Sequence, residues 1–234
     1  MRLLLISNST NVGETYLNHP KEQIQAFLGK KSVNALFVPF AGVTFSYDDY
    51  EKKVEERFSE MGHHVTGIHR FADPVNAVEE AEAIVVGGGN TWKLVQMLHH
   101  YRLMEAIRRK ALAGTPFIGW SAGSNIACPT LRTTNDMPII HPVSFDTLNL
   151  IPFQINPHYL DVHPENHGGE TREDRIREFI EINPDVYVVG LREGTMLRLE
   201  NHQLHLIGKK PARIFKKGLE PKELDAKADF SFLL

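Results

Sequence analysis

Phe117-Ile-Gly-Trp-Ser-Ala-Gly-Ser-Asn125 sets an apolar run, a serine between small residues and a helix start end to end. The pattern Gly119-x-Ser121-x-Gly123 directly after a strand-like segment describes a strand-to-helix elbow whose pinched backbone tolerates only small neighbours. Gly119, Ala122 and Gly123 supply that room. Such an elbow presents the serine hydroxyl at the carboxyl edge of a sheet. The free amides and dipole of the following helix face the place where an oxyanion would form, and the amide of Ala122 is the first donor. Because the same spacing also arises by chance at ordinary strand-helix turns, the remainder of the chain has to supply partners for Ser121.

Outward from this elbow, short apolar, β-branched runs alternate with amphipathic charged runs, the pattern of strands feeding crossover helices. Strands are predicted over 2–7, 33–38, 65–69, 83–86 and 116–119. Helices are predicted over 47–61 and 74–82, with one long or two consecutive helices over 91–113. The strands are apolar on both faces, which predicts an α/β fold with a mostly parallel sheet flanked by helices. The stretch 129–157 is rich in Pro, Thr and Asn and predicts loops and short strands lining a cleft. A charged helix over 171–181, a buried strand over 186–190 and a hairpin over 196–206, turning at Asn201-His202, follow. The tail 220–234 reads as a surface appendage. No repeat or low-complexity segment divides the chain, so residues 1–234 are expected to form one domain.

Charge and cysteine usage exclude several functions. The 26 basic and 29 acidic residues are spread along the chain for a formal net charge of −3, without the basic block of a phosphate-backbone binder. The single cysteine, Cys128, excludes an internal disulfide framework and reads as a buried packing residue. The N-terminal apolar run is too short for a signal peptide and no stretch is long enough to cross a bilayer. These features predict a cytoplasmic protein with neither a nucleic-acid nor a membrane partner.

A second glycine-rich turn, Val85-Val86-Gly87-Gly88-Gly89-Asn90-Thr91, also follows a strand and opens a helix. It could bind phosphate, but it matches neither dinucleotide-binding nor Walker spacing, and Lys93 falls in the wrong frame. A second oxyanion donor, from Gly88 or Gly89, is the preferred reading over a merely tight turn. A serine needs a base oriented by a carboxylate. Of twelve histidines, His158 in Ile155-Asn156-Pro157-His158-Tyr159 stands out, because Pro157 restricts Asn156 to extended geometry and so helps aim the imidazole. Two carboxylates qualify as its partner. Glu193, after a buried strand and before Gly194, has the position expected at the carboxyl edge of a sheet. Asp136 could support the site from outside or simply cap a loop. His158, Asp161, His163, Glu165 and His167 form a cluster with metal-binding residue types. Pro164 and Gly168-Gly169 argue for a loop there rather than a helical ligand pair, and neither a metal nor another cofactor is expected.

Four motifs in fixed order, Gly-Trp-Ser-Ala-Gly-Ser-Asn, Asn-Pro-His-Tyr, Gly-Gly-Glu-Thr-Arg-Glu-Asp-Arg-Ile and Gly-Leu-Arg-Glu-Gly, resemble those of the peptidase E family, the alpha-aspartyl dipeptidases. The resemblance runs over nearly the whole chain. It implies an α/β fold related to class I glutamine amidotransferases (flavodoxin-like), with Ser121 as nucleophile, His158 as base and Glu193 as third member. Asp136 matches a family aspartate also proposed for the relay. The implied substrate is a small peptide, an Asp-Xaa dipeptide, acted on by a monomer or homodimer. Arg172 matches the family arginine that reads the aspartate side chain, a task suited to a guanidinium fork; on residue type alone it would pair with Glu170 or Glu173 on a solvated helix. Two departures from the family pattern stand out. Arg192 replaces an expected proline and alters the charge near Glu193, and Ser124 replaces a more usual alanine. Two rival functions share the scaffold: a cyanophycinase-like hydrolase of aspartate-backbone polymers, which a shallower cleft would favour, and a non-catalytic small-molecule binding module, which would leave Ser121 unreactive.

Overall fold

The computed structural model describes residues 1–161 and 168–234. Its central sheet has seven strands in the order β3 (His64–Gly67), β2 (Asn34–Val38), β4 (Ile84–Val86), β5 (Phe117–Trp120), β1 (Leu3–Ile6), β8 (Met196–Glu200), β9 (Gln203–Ile207). The first five pair in parallel, and the β8–β9 hairpin adds antiparallel to β1.

Side-chain alternation explains why both faces of this sheet are covered. Leu3, Leu5, Leu36, Val38, Ile84, Val86 and Phe117 enter one apolar cluster with α3 (Pro74–Glu80), α4 (Thr91–His100) and α5 (Leu103–Leu112). Leu4, Ile6, Phe37, Val85, Ile118 and Trp120 enter the other with α1 (Lys21–Leu28) and α2 (Tyr47–Ser59). The α4–α5 stretch is two helices because Arg102, at φ 57°, turns the chain between them. Asn201 and His202 both take positive φ, 52° and 59°, as a two-residue hairpin turn requires.

A second sheet, in the order β11 (Lys222–Leu224), β10 (Ala212–Phe215), β7 (Val188–Arg192), β6 (Gln154–Tyr159), stands beside the first. The strand expected over 186–190 belongs to this sheet as β7, not to the central one. The helix α7 (Arg172–Ile182) opens with a capping box between Thr171 and Asp174. Two expectations are corrected here. Helix α1 was not anticipated: it has only eight residues, no side-chain cap, and two buried apolar positions, Ile24 and Phe27. The 220–234 tail is no appendage, since Phe230 and Leu233 are buried in the main core and β11 completes the second sheet. Among the described residues, no helix is long and apolar enough to cross a membrane.

Candidate active site

The carboxyl ends of β1, β4 and β5 from the central sheet, and of β6 and β7 from the second, converge on Ser121. Ser121 adopts φ 53° and ψ −113°, a costly conformation for a residue with a side chain. It is held there by its amide bonding to the Ile6 carbonyl at 3.0 Å and by its own carbonyl accepting from Ser124 and Asn125. Added methyls at Gly119 or Gly123 would collide with the Gly123 and Val86 backbone carbonyls, so these two positions have no room for a side chain. The helix after the serine, α6 (Ala122–Asn125), is a single turn. Its local amides, rather than an extended dipole, therefore face the site. Ser124, where alanine is more usual, is fully buried, and its hydroxyl lies 2.8 Å from both the Ile6 and Gly119 carbonyls, tying the elbow to β1.

His158 also has a positive φ, 53°, where the β6–β7 register shifts between Pro157 and Tyr159. This bulge turns the imidazole out of the strand alternation and toward the elbow. Nδ1 lies 2.7 Å from Glu193 Oε1 and Nε2 lies 3.0 Å from Ser121 Oγ. An ionised carboxylate can only accept, which sets the proton on Nδ1 and leaves the Nε2 lone pair for the serine O–H. Two residues that the sequence reading missed brace this row. The Ser7 hydroxyl accepts from the His158 amide at 3.0 Å and donates to the Leu191 carbonyl at 2.7 Å. Asn8 Oδ1 accepts from the Gly194 amide at 2.8 Å. Their position just past the end of β1 is the signal that could have identified them, because α/β sheets build sites at that edge.

Asp136, whose role the sequence leaves open, directs its hydrogen bonds away from His158 among the described residues. Its Oδ2 accepts from the Thr91 amide and hydroxyl at 2.7 and 2.6 Å and from the Thr134 hydroxyl at 3.0 Å, at the start of α4. It makes no hydrogen bond with His158; Glu193 does. Asp136 still lines the cavity, with Oδ1 open among the described residues. Gly88 packs against Ser121, and neither its amide nor that of Ala122 has an intramolecular acceptor among the described residues. Tyr50 donates its hydroxyl to the Gly88 carbonyl at 2.9 Å and accepts from Trp120 Nε1 at 3.2 Å, which fixes the glycine turn. Gly89, at φ 137°, lies against the Ala41 carbonyl, where only glycine fits.

Two lobes meet at Ser121, Asp136 and His158. One, of ≈ 350 Å³, is polar and contains Asn125, Asn135, Arg172 and Glu193. The other, of ≈ 660 Å³, is walled by Tyr16, Phe45, Tyr50, Lys53 and Trp120. Arg172 forms no ion pair or hydrogen bond among the described residues; Glu173 pairs with Arg177 and Arg213, and Glu170 with Arg175. Burial pushes the Arg172 guanidinium down from its ordinary pKa, the nearby Arg175 adds to this, and Asp136 opposes it. A substrate anion would relieve both unfavourable effects.

Arg192 does not charge the surroundings of Glu193. Its guanidinium reaches Asp161 and Glu223 and donates to the Pro211 carbonyl at 2.6 Å, linking β7, β10 and β11. Hydrogen bonds from Arg192 are the main reason that Asp161 and Glu223 sit below the ordinary carboxylate range. Carboxylates depressed in the folded state stabilise it fully above their unfolded pKa, about 4, and lose that contribution as pH falls through the lowered values. Urea midpoints of the wild type are therefore expected to fall on acidification below about pH 4. Arg192→Met is expected to lower the neutral-pH midpoint and flatten this acid limb. An acid limb of unchanged steepness in the variant would contradict this.

His163, Glu165 and His167 of the metal-type cluster lie outside the described residues. Among the described residues, Asp48, Glu51 and His69 place ligand-type atoms within 4.8 Å of one another. Arg70 already engages both carboxylates there.

Comparison with known proteins places this geometry in context. The sequence model of peptidase family S51 matches residues 3–207. A peptidase E of Nostoc sp. is 51% identical over 233 residues, covering 100% of this chain and 96% of the relative. A peptidase E of Salmonella typhimurium is 48% identical over 227 residues, covering 97% and 98%. A crystal structure of a peptidase from an acI-B1 actinobacterium, 19% identical, superposes with a TM-score of 0.71 over 99% of this chain and 96% of that one. At that identity the structural likeness speaks for the fold alone.

Proposed function

The chain belongs to peptidase family S51 and is a serine-type peptide hydrolase, and from that premise we propose that it hydrolyses dipeptides with an N-terminal aspartate through Ser121. The observation that carries the specificity is Arg172, without an ion pair among the described residues, in the same cavity as the Ser121–His158–Glu193 row.

In this reading Ser121 Oγ attacks the carbonyl carbon of the aspartyl residue while His158 Nε2 takes its proton and Glu193 stabilises the imidazolium. The amides of Ala122 and of Gly88 or Gly89 receive the oxyanion. His158 returns the proton to the leaving amine, and water, deprotonated by the same nitrogen, releases aspartate from the acyl-enzyme. Arg172 holds the aspartate side chain as a two-pronged donor. Asp136 Oδ1, without a hydrogen bond among the described residues, is available for the substrate ammonium, while the relay contact to His158 is made by Glu193.

We take residues 1–234 as one catalytic unit, since Ser121 comes from one sheet and His158 and Glu193 from the other. The buried free thiol of Cys128 suits the reducing cytoplasm, where the enzyme would work as a monomer or homodimer. The test is hydrolysis of Asp-Leu, Glu-Leu, Asn-Leu and N-acetyl-Asp-Leu with a chelator present. Cleavage of Asp-Leu alone is expected. Equal cleavage of Asn-Leu would reject the role of Arg172, and inhibition by the chelator would reject a purely serine-based reaction.

A further inference from the structure

The aromatic wall of the larger lobe has no role in the steps above, and its chemistry differs from that of the Arg172 lobe. Its floor is a hydrogen-bonded aromatic group: Tyr16 and Tyr50 hydroxyls lie 3.4 Å apart, and Trp120 Nε1 is bonded to Tyr50. Phe45 stands at its side, edge-on to Tyr50 with ring centroids 5.1 Å apart. Lys53, from the exposed side of α2, extends its ammonium over the Tyr16 ring, 4.2 Å from the centroid. It makes no ion pair among the described residues.

A dipeptide acylating Ser121 has to place its two residues on opposite sides of that hydroxyl. With the N-terminal aspartate in the Arg172 lobe, the leaving residue enters the aromatic lobe, because the two lobes share Ser121, Asp136 and His158. We propose that this lobe is the leaving-group subsite: Tyr16, Phe45, Tyr50 and Trp120 take the second side chain, and Lys53 reads the free α-carboxylate of the dipeptide. The inference rests on the aspartyl dipeptidase reading and deepens it.

A lysine suits this task. The ammonium is a point charge on a flexible stem and can meet a carboxylate whose position shifts with the neighbouring side chain, whereas Arg172 must match one fixed carboxylate. The ring of Tyr16 holds the ammonium over the lobe by cation–π attraction. Asp49 lines the same wall, but its Oδ2 is engaged by the Ser46 hydroxyl at 2.6 Å in the first turn of α2. Recognition of a free carboxylate one residue past the cut would confine the enzyme to dipeptides.

The experiment compares wild type, Lys53→Met and Lys53→Arg on Asp-Leu and on Asp-Leu amide, whose terminus is neutral. The wild type is expected to favour Asp-Leu, with the advantage residing in KM. Lys53→Met is expected to raise KM for Asp-Leu about twofold to fivefold, the range of a partly exposed ion pair, and to erase the preference over the amide, with kcat kept. Lys53→Arg restores part of it. A wild type that cuts both peptides equally, or a Lys53→Met variant that keeps its preference or loses both activities alike, overturns the subsite while leaving the aspartyl reading intact. A wild type that cuts neither overturns both.

Discussion

Ser121→Ala is expected to reduce kcat on Asp-Leu by a factor on the order of 10^4 to 10^6, the loss typical of removing the nucleophile of a serine hydrolase. The fold should survive. The strained backbone at position 121 is held by its amide bond to Ile6 and by the first turn of α6, none of which uses the hydroxyl. Alanine keeps the Cβ that packs against Gly88. The variant should therefore melt within a few degrees of wild type and still bind Asp-Leu by calorimetry, while a fluorophosphonate labels wild type only. Residual activity within tenfold of wild type would remove Ser121 from the mechanism, and labelling of the variant would point to another nucleophile.

Arg172→Met is expected to lower kcat/KM for Asp-Leu roughly 10²- to 10³-fold, the cost of leaving a buried carboxylate without its charged partner. The discriminating readout is the ratio to Asn-Leu. Loss of the cation should bring the two substrates together, because asparagine never had a charge to pair. Arg172→Lys should recover part of the loss, since one ammonium replaces a two-pronged donor with a point charge. Stability should change little: Arg172 forms no ion pair or hydrogen bond among the described residues, and its removal relieves repulsion from Arg175 while giving up the attraction of Asp136. A variant that loses Asp-Leu and Asn-Leu activity by the same factor would make Arg172 a structural residue of α7, not a reader of the aspartate.

These two residues were legible in different ways. Ser121 announced itself through local stereochemistry, since the elbow needs glycine at 119 and 123 and a small residue at 122, and the sequence has them there. Arg172 did not. On residue type it was a helix arginine among glutamates, and only the folded chain shows Glu170 and Glu173 committed to other arginines. Asp136 is the intermediate case: the sequence left it between the histidine and a loop cap, and the folded chain shows its carboxylate bonded at the start of α4. Lys53 carried no signal at all, being one charged position on an amphipathic helix whose neighbours across the cleft, Tyr16 and Trp120, are distant in sequence.

By itself the sequence determined the parallel α/β framework, the elbow and the turns. Each follows from interactions between residues a few positions apart: apolar runs that need cover on both faces, a φ that demands small residues, a two-residue turn at Asn201-His202. The tertiary structure alone decided the second sheet, the burial of Phe230 and Leu233, the short helix α1, and which carboxylate meets His158. These depend on pairings over tens to hundreds of residues, such as Ser7 with His158 and Asn8 with Gly194. Such contacts leave no periodic trace in the chain, because their partners come together only through the packing of the two sheets.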